Sequence, residues 1–100
     1  MMNDEERELL GALQIALLGV ITPKIRAIGA RTTANHHHFT VYVDGPISED
    51  DEEDMAIVNT ELWAHYPGIG GHNVTHEVIR MDAPHSIPKD QLFAYTRKES

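Results

Sequence analysis

Apolar residues recur at helical spacing at Leu9, Leu13, Ala16, Leu17 and Val20, and Asn3 followed by Glu6 forms a capping-box variant, so the pattern predicts a first helix running to about Val20. Leu10, Ile15 and Leu18 lie off that stripe. A helix this apolar is expected to be covered on two sides, by the sheet and a neighbouring helix or by another chain. Thr22-Pro23 ends it. Lys24 to Thr33 then reads as a strand weakened by Gly29, and Phe39 to Val43 as a second strand with Phe39, Val41 and Val43 on one face. The polar stretch Ala34-Asn35-His36 joins them as a hairpin, and Asp44-Gly45-Pro46 stops the second strand.

Ser48, with Asp51 three residues on, is placed to cap a second helix whose Met55, Val58, Leu62 and Tyr66 form one apolar stripe ending at Pro67-Gly68. Beyond the glycine-rich turn 68–71, Val74 to Met81 is rich in β-formers, and Ala83-Pro84 breaks it. Gln91 to Arg97, with Phe93 and Tyr95 in alternation, predicts a short edge strand. The order αββαββ implies a single α+β domain over residues 1–100, a two-layer sandwich of two helices on one face of an antiparallel-dominated four-stranded sheet. A right-handed crossover sets the third strand parallel to the second, and with the first strand between them the expected order is 2-1-3-4. The other sheet face is then left to water or a partner.

Charge sharpens this picture. Sixteen Asp and Glu against eight Lys and Arg leave a formal charge of −8, which argues against nucleic acid or an anionic membrane as partner and for a basic protein. Six of those acids are consecutive, Glu49, Asp50, Asp51, Glu52, Glu53 and Asp54, at the start of the second helix. Each carboxylate near a helix N-terminus is worth only about 0.3–1 kcal/mol, and the effect fades after one turn. Helix stability therefore does not account for six. There is no cysteine, hence no disulfide and no thiolate chemistry, which suits a reducing compartment without requiring one. Asn3 to Glu8 lacks a cationic leader, so secretion by a signal peptide is not expected, and the apolar run Leu9 to Ile21 is shorter than the ~20 residues that span a bilayer.

The sequence holds few groups for catalysis. His36 and His38 would share one side of a strand within reach of one metal ion, but a third ligand would have to come from His65, His72, His76 or His85. The plainer reading of the triplet is a solvated hairpin end. His76-Glu77 opens like HExxH, but Arg80 stands where the second histidine belongs. Gly68 to Asn73 follows a helix and opens a strand, the reverse of a phosphate-binding fingerprint. None of the three serines sits in a nucleophile elbow, and a solvated run of acids lacks the contrasting environments of an acid–base pair. Trp63, Tyr66 and Tyr42 are candidate interface anchors, weighed against ordinary core packing.

Several short motifs sit together across residues 9–98. They are Ile21-Thr22-Pro23, Ile25-Arg26-Ala27, Asp44 to Glu52, Thr60-Glu61 with Tyr66-Pro67, and Ile79 to Pro84. The arrangement resembles a family of small bacterial proteins, the CdiI-type immunity proteins of contact-dependent growth inhibition and related toxin systems. That resemblance implies a cytoplasmic protein that occludes the toxic domain of a cognate effector, often a nuclease, without catalytic residues, cofactor or metal. The partner-binding residues it points to here are Glu49, Asp50, Asp51, Glu52, Glu53 and Asp54, with Asp44 and Trp63. The chain departs from the pattern at His36-His37-His38 and at Gly68 to His72. Two other classes stay open, a small metal-dependent enzyme using the histidines and a structural homo-oligomer, such as a homodimer, joined through the apolar first helix.

Overall fold

Both helices begin with a reciprocal cap written into the sequence. A computed structural model describes residues 2–33, 36–65 and 73–99. In α1 (Asp4–Ala16) the Glu6 amide donates to Asn3 Oδ1 at 2.8 Å while Glu6 Oε1 accepts from the Asn3 amide at 2.9 Å. The helix stops earlier than its apolar pattern, and Gly19, at φ +80°, turns the chain in a region that favours glycine. In α2 (Glu49–His65) the Asp51 amide donates to Ser48 Oγ at 3.1 Å, and Asp51 Oδ2 accepts from the Ser48 amide at 2.8 Å. The expected helix end at Tyr66-Pro67-Gly68 and the glycine-rich turn through His72 lie outside the described residues, as does Ala34-Asn35 of the hairpin.

The strands are β1 (Ile25–Thr33), β2 (His36–Val43), β3 (Asn73–Arg80) and β4 (Leu92–Thr96), in the element order αββαββ. β1 pairs antiparallel with β2 and with β4, and β2 pairs parallel with β3, so the sheet is mostly antiparallel. Its order is β3-β2-β1-β4, which corrects the expected 2-1-3-4. The parallel relation between second and third strands holds, but they are direct neighbours. The reason is space on the helical face: α1 packs over β1 and β4, and α2 packs over β3. A third strand beyond β1 would have required α2 to lie where α1 already sits.

Alternation sends Phe39, Val41 and Val43 of β2 and Ile28 and Ala30 of β1 under the helices, where they meet Leu9, Leu13, Leu17, Met55, Val58 and Leu62 in one core. Each fully buried large side chain contributes about 1.5–3 kcal/mol. β2 starts at His36 rather than Phe39, so the histidines are strand residues and not a solvated hairpin end. His37 points into the core side, 2% exposed, with Nδ1 2.7 Å from Thr32 Oγ1. His76 of β3 stacks on Phe39 at 5.3 Å and pairs through Nδ1 with Asn59 Oδ1 at 2.8 Å, tying α2 to the sheet. Burial holds the His76 ring below its ordinary pKa, and the nearby His38 adds to this against an opposing pull from Glu52.

The second sheet face is only partly open. β3 and β4 are parallel strands at opposite edges, so the chain between them must cross the sheet, and right-handedness puts that crossing on the face without helices. The crossing passes through a cis Ala83–Pro84 bond and covers Ala27 and Tyr42. Gln91 Nε2 donates to Tyr42 Oη at 2.8 Å, and the Gln91 side chain fills the space above Gly29, where a Cβ would meet its Oε1 at 2.1 Å. A glycine that weakens a strand in isolation is here the seat of a close approach. Tyr42 is consequently 5% exposed and is a core residue, not an interface anchor.

Arg26, 4% exposed on β1, locks the crossing in place. Its NH1 donates to the Met81 and His85 carbonyls, both at 2.8 Å, while Nε and NH2 grip Glu99 Oε2 and Oε1 at 2.7 and 2.8 Å. Arg97 binds Glu99, Asp44 and the Pro23 carbonyl. The Arg26 and Arg97 hydrogen bonds, the former foremost, outweigh the desolvation of Glu99 and hold its carboxyl down at about 2, against an ordinary 4.5.

Three outcomes are expected. Gly11 is a helical residue with nothing within 4 Å of an added Cβ, so Gly11→Ala should stabilise the fold by about 0.5–1 kcal/mol in denaturant unfolding. Arg26→Ala strands the Met81 and His85 carbonyls but leaves Glu99 able to rehydrate, so the loss should be about 1–3 kcal/mol, the cost of buried acceptors left unmade. Because the folded-state pKa of Glu99 is depressed, its stabilisation is complete above about pH 4.5 and disappears as the pH falls toward 2. The difference in unfolding midpoint between the wild type and Glu99→Gln should therefore close across that window, and a constant difference would show that its charge is not what stabilises.

Candidate functional site

The fold sorts the charges by layer. α1 and α2 together carry eleven of the sixteen carboxylates and a single Lys or Arg, Arg7, whereas the rest of the chain has five carboxylates against seven Lys and Arg. The helical layer is thus strongly acidic, and the sheet with its loops is slightly basic. Four carboxylates lie in the first turn of α2, where the exposed N–H groups favour them, and the remainder repel one another. Rigid presentation of those like charges requires the Met55–Val58–Leu62 stripe to anchor α2 on the sheet.

The acidic run is not uniform. Asp51 is half-buried, closes the Ser48 cap and forms an ion pair with Lys24 Nζ. Burial by itself would raise its pKa, but the hydrogen bonds from Lys24 and Ser48 outweigh this and hold it below the usual carboxylate range. Glu49, Asp50, Glu52 and Glu53 are exposed, Asp54 is half-buried, and none of the five makes an ion pair among the described residues. Asp44 sits apart, half-buried beside Arg97 NH2 at 3.2 Å. The structure therefore assembles four or five carboxylates as a surface and uses Asp51 and Asp44 to hold the fold.

Trp63 is 51% exposed and stands one turn on from Asn59, on the β3 side of α2. Three aliphatic side chains share the helical surface with it, Ile15 at 70%, Leu18 at 76% and Ile57 at 56% exposed. Sequence periodicity placed Ile15 and Leu18 off the main stripe but predicted a cover for them. Neither is covered here. Ile57 was not singled out at all, although it too lies off the Met55 stripe.

On the opposite face, Arg26, Pro84, His85, Ile87, Phe93 and Glu99 line a cleft of about 380 Å³. Arg26 and Arg97 in its lining are matched by Glu99, Asp44 and backbone carbonyls, while Lys89 adds a further cation, so this cleft is mildly basic where the helical layer is acidic. Along the β2–β3 border, His36 Nε2 and His38 Nδ1 both lie 2.7 Å from Thr75 Oγ1, with the rings 6.3 Å apart. The two histidines do share one side of the strand, but they converge on a hydroxyl, and no group of three His, Asp or Glu among the described residues is arranged to hold a metal. Nor, among those residues, is any helix long and apolar enough to cross a membrane.

The fold is shared with a solved structure, the metal-bound C-terminal domain of the CzcD transporter from Thermotoga maritima, at 18% sequence identity and a TM-score of 0.51 over 79% of this chain and 94% of that one. At that identity the likeness concerns the fold alone. Among curated proteins none matches the chain. The family comparison reaches further, because the MafI2 immunity protein family matches residues 6–99, taking in both helices and all four strands. The chain belongs to the MafI2 immunity protein family.

Proposed function

We propose that this chain is a non-enzymatic inhibitor that neutralises a cognate toxin domain by covering its basic working surface with the acidic helical layer. The observation that carries the reading is the sorting of eleven carboxylates and one cation onto one face of the fold. A face of that sign attracts a cationic cleft, raises the encounter rate by about 10- to 1,000-fold and weakens with salt. A nuclease is a fitting target, since a protein that binds phosphate backbones presents such a cleft. The resemblance to contact-dependent growth inhibition suits the same reading, with the inhibitor acting in the cytoplasm where the toxin would otherwise work. Exposed Glu49, Asp50, Glu52 and Glu53, joined by Asp54 and Trp63, are the contact residues; Asp51 and Asp44 serve by holding α2 and the neighbouring loop in position.

The test is association with the cognate toxin domain, isolated from the native host by its binding to this chain, measured at low and high salt. Reversing Glu49, Asp50, Glu52 and Glu53 to lysine while keeping Asp51 should cost the fold about 0.3–1 kcal/mol for each of the three first-turn positions, slow association by at least about tenfold and flatten its salt dependence. Association that ignores both the reversal and the salt would overturn the electrostatic reading.

A further inference from the structure

We infer that the toxin is anchored on an apolar seam between the two helices, formed by Ile15, Leu18 and Ile57, with Asp50, Glu53 and Asp54 of the acidic run on its rim. The inference rests on the immunity reading and adds to it a second helix and a chemical description of the partner. α1 and α2 pack side by side and antiparallel, as contacts from within α1 and from the segment that follows it show. Glu8 Oε1 lies 3.5 Å from His65 Nε2 at one end, and at the other Lys24 pairs with Asp51 while Val20 shares a small cavity with Asp54 and Met55.

That pinning sets the level of each exposed side chain. Ile15 repeats the position of Glu8 two turns later, so it stands on the flank of α1 that looks toward α2. Leu18 follows three residues on, its amide bonded to the Ile15 carbonyl at 3.1 Å. Val20 meets α2 near Asp51 to Met55, which puts Leu18 close to the level of Ile57. Ile57 lies three residues beyond Asp54, on the α1 side of α2, while Trp63 lies on the other side of that helix.

Three large aliphatic residues, each more than half exposed, thus face outward along one inter-helix seam. Gly11, one turn before Ile15, leaves open space beside it. Helical spacing from Ile15 and Ile57 puts Glu8, Asp50, Glu53, Asp54 and Glu61 on the flanks that border the seam.

The charge decides the occupant. A second copy would bring an equally acidic helical layer against this one, and like charges facing each other cost several kcal/mol. An anionic bilayer is repelled for the same reason. A protein with an apolar protrusion ringed by Lys and Arg matches both parts of the surface. In such an interface the desolvated centre sets the dissociation rate and the charged rim sets the association rate.

Ile15→Ser, Leu18→Ser and Ile57→Ser combined remove the seam without touching a carboxylate or a buried residue, so unfolding should change little. With the same purified toxin domain as probe, the triple variant should dissociate at least about tenfold faster while its association rate stays within about twofold. Sedimentation of the wild type alone should show a monomer. Unchanged dissociation with intact neutralisation would overturn the seam and leave the immunity reading standing, and wild-type chain that binds no toxin domain from its host would overturn both. A free dimer dissolved by the triple variant would assign the seam to self-association instead.

Discussion

A guanidinium cannot be buried on a central strand unless its donors are taken up, and Arg26 is such a group. Carbonyls of Met81 and His85 and the carboxylate of Glu99 take them up. Much of the architecture follows from this demand. The chain leaving β3 must stay against the sheet to offer those carbonyls, the residues after β4 must turn back to offer Glu99, and Arg97 is drawn in beside Asp44. Motifs far apart in sequence, Ile25-Arg26-Ala27, Asp44-Gly45 and Ile79 to Pro84, meet at this point, where the Gly45 amide also donates to Asp82 Oδ1 at 2.7 Å. Their joint presence in the chain has a structural cause in the clamp.

Covering much of one sheet face leaves the helical face with the exposed acids and large apolar side chains. With the β3–β4 crossing pinned over the helix-free face, the sheet surface becomes interior, as the burial of Ala27, Thr40 and Tyr42 shows. The surface left with both strong charge and large exposed apolar groups is the helical layer. α2 carries its acids there at a cost in mutual repulsion, which the core contacts of Met55, Val58 and Leu62, each fully or almost fully buried, readily offset. A carboxylate surface fixed on a rigid helix costs a partner less ordering than the same charges on a loop.

Local pattern was enough to read much of this. Element types and their order followed from periodicity, the caps at Asn3 and Ser48 from residue identity and spacing, and the core face of β2 from alternation at Phe39, Val41 and Val43, because each depends on neighbours within a turn or a pleat. The polar residues that bond across the fold were misread. Tyr42 looked like a surface anchor until Gln91 closed over it, and the histidines looked like a hairpin end until Thr32 and the sheet enclosed His37. Spacing from Ser48 marks Asp51 as a cap partner, but its ion pair with Lys24, 27 residues earlier, could only be seen in the fold.

By itself the sequence determined the two helices, the four strands, the acidic balance and the place of the carboxylate run at a helix start, since these are local or summed properties. Only the tertiary structure decided the order β3-β2-β1-β4, because two helices competing for one face exclude the alternative. It also decided that the acids of α1 and α2 share one layer while most Lys and Arg lie behind it, and that Ile15, Leu18 and Ile57 are each left more than half exposed. A charge count is blind to direction, and direction is what packing supplies.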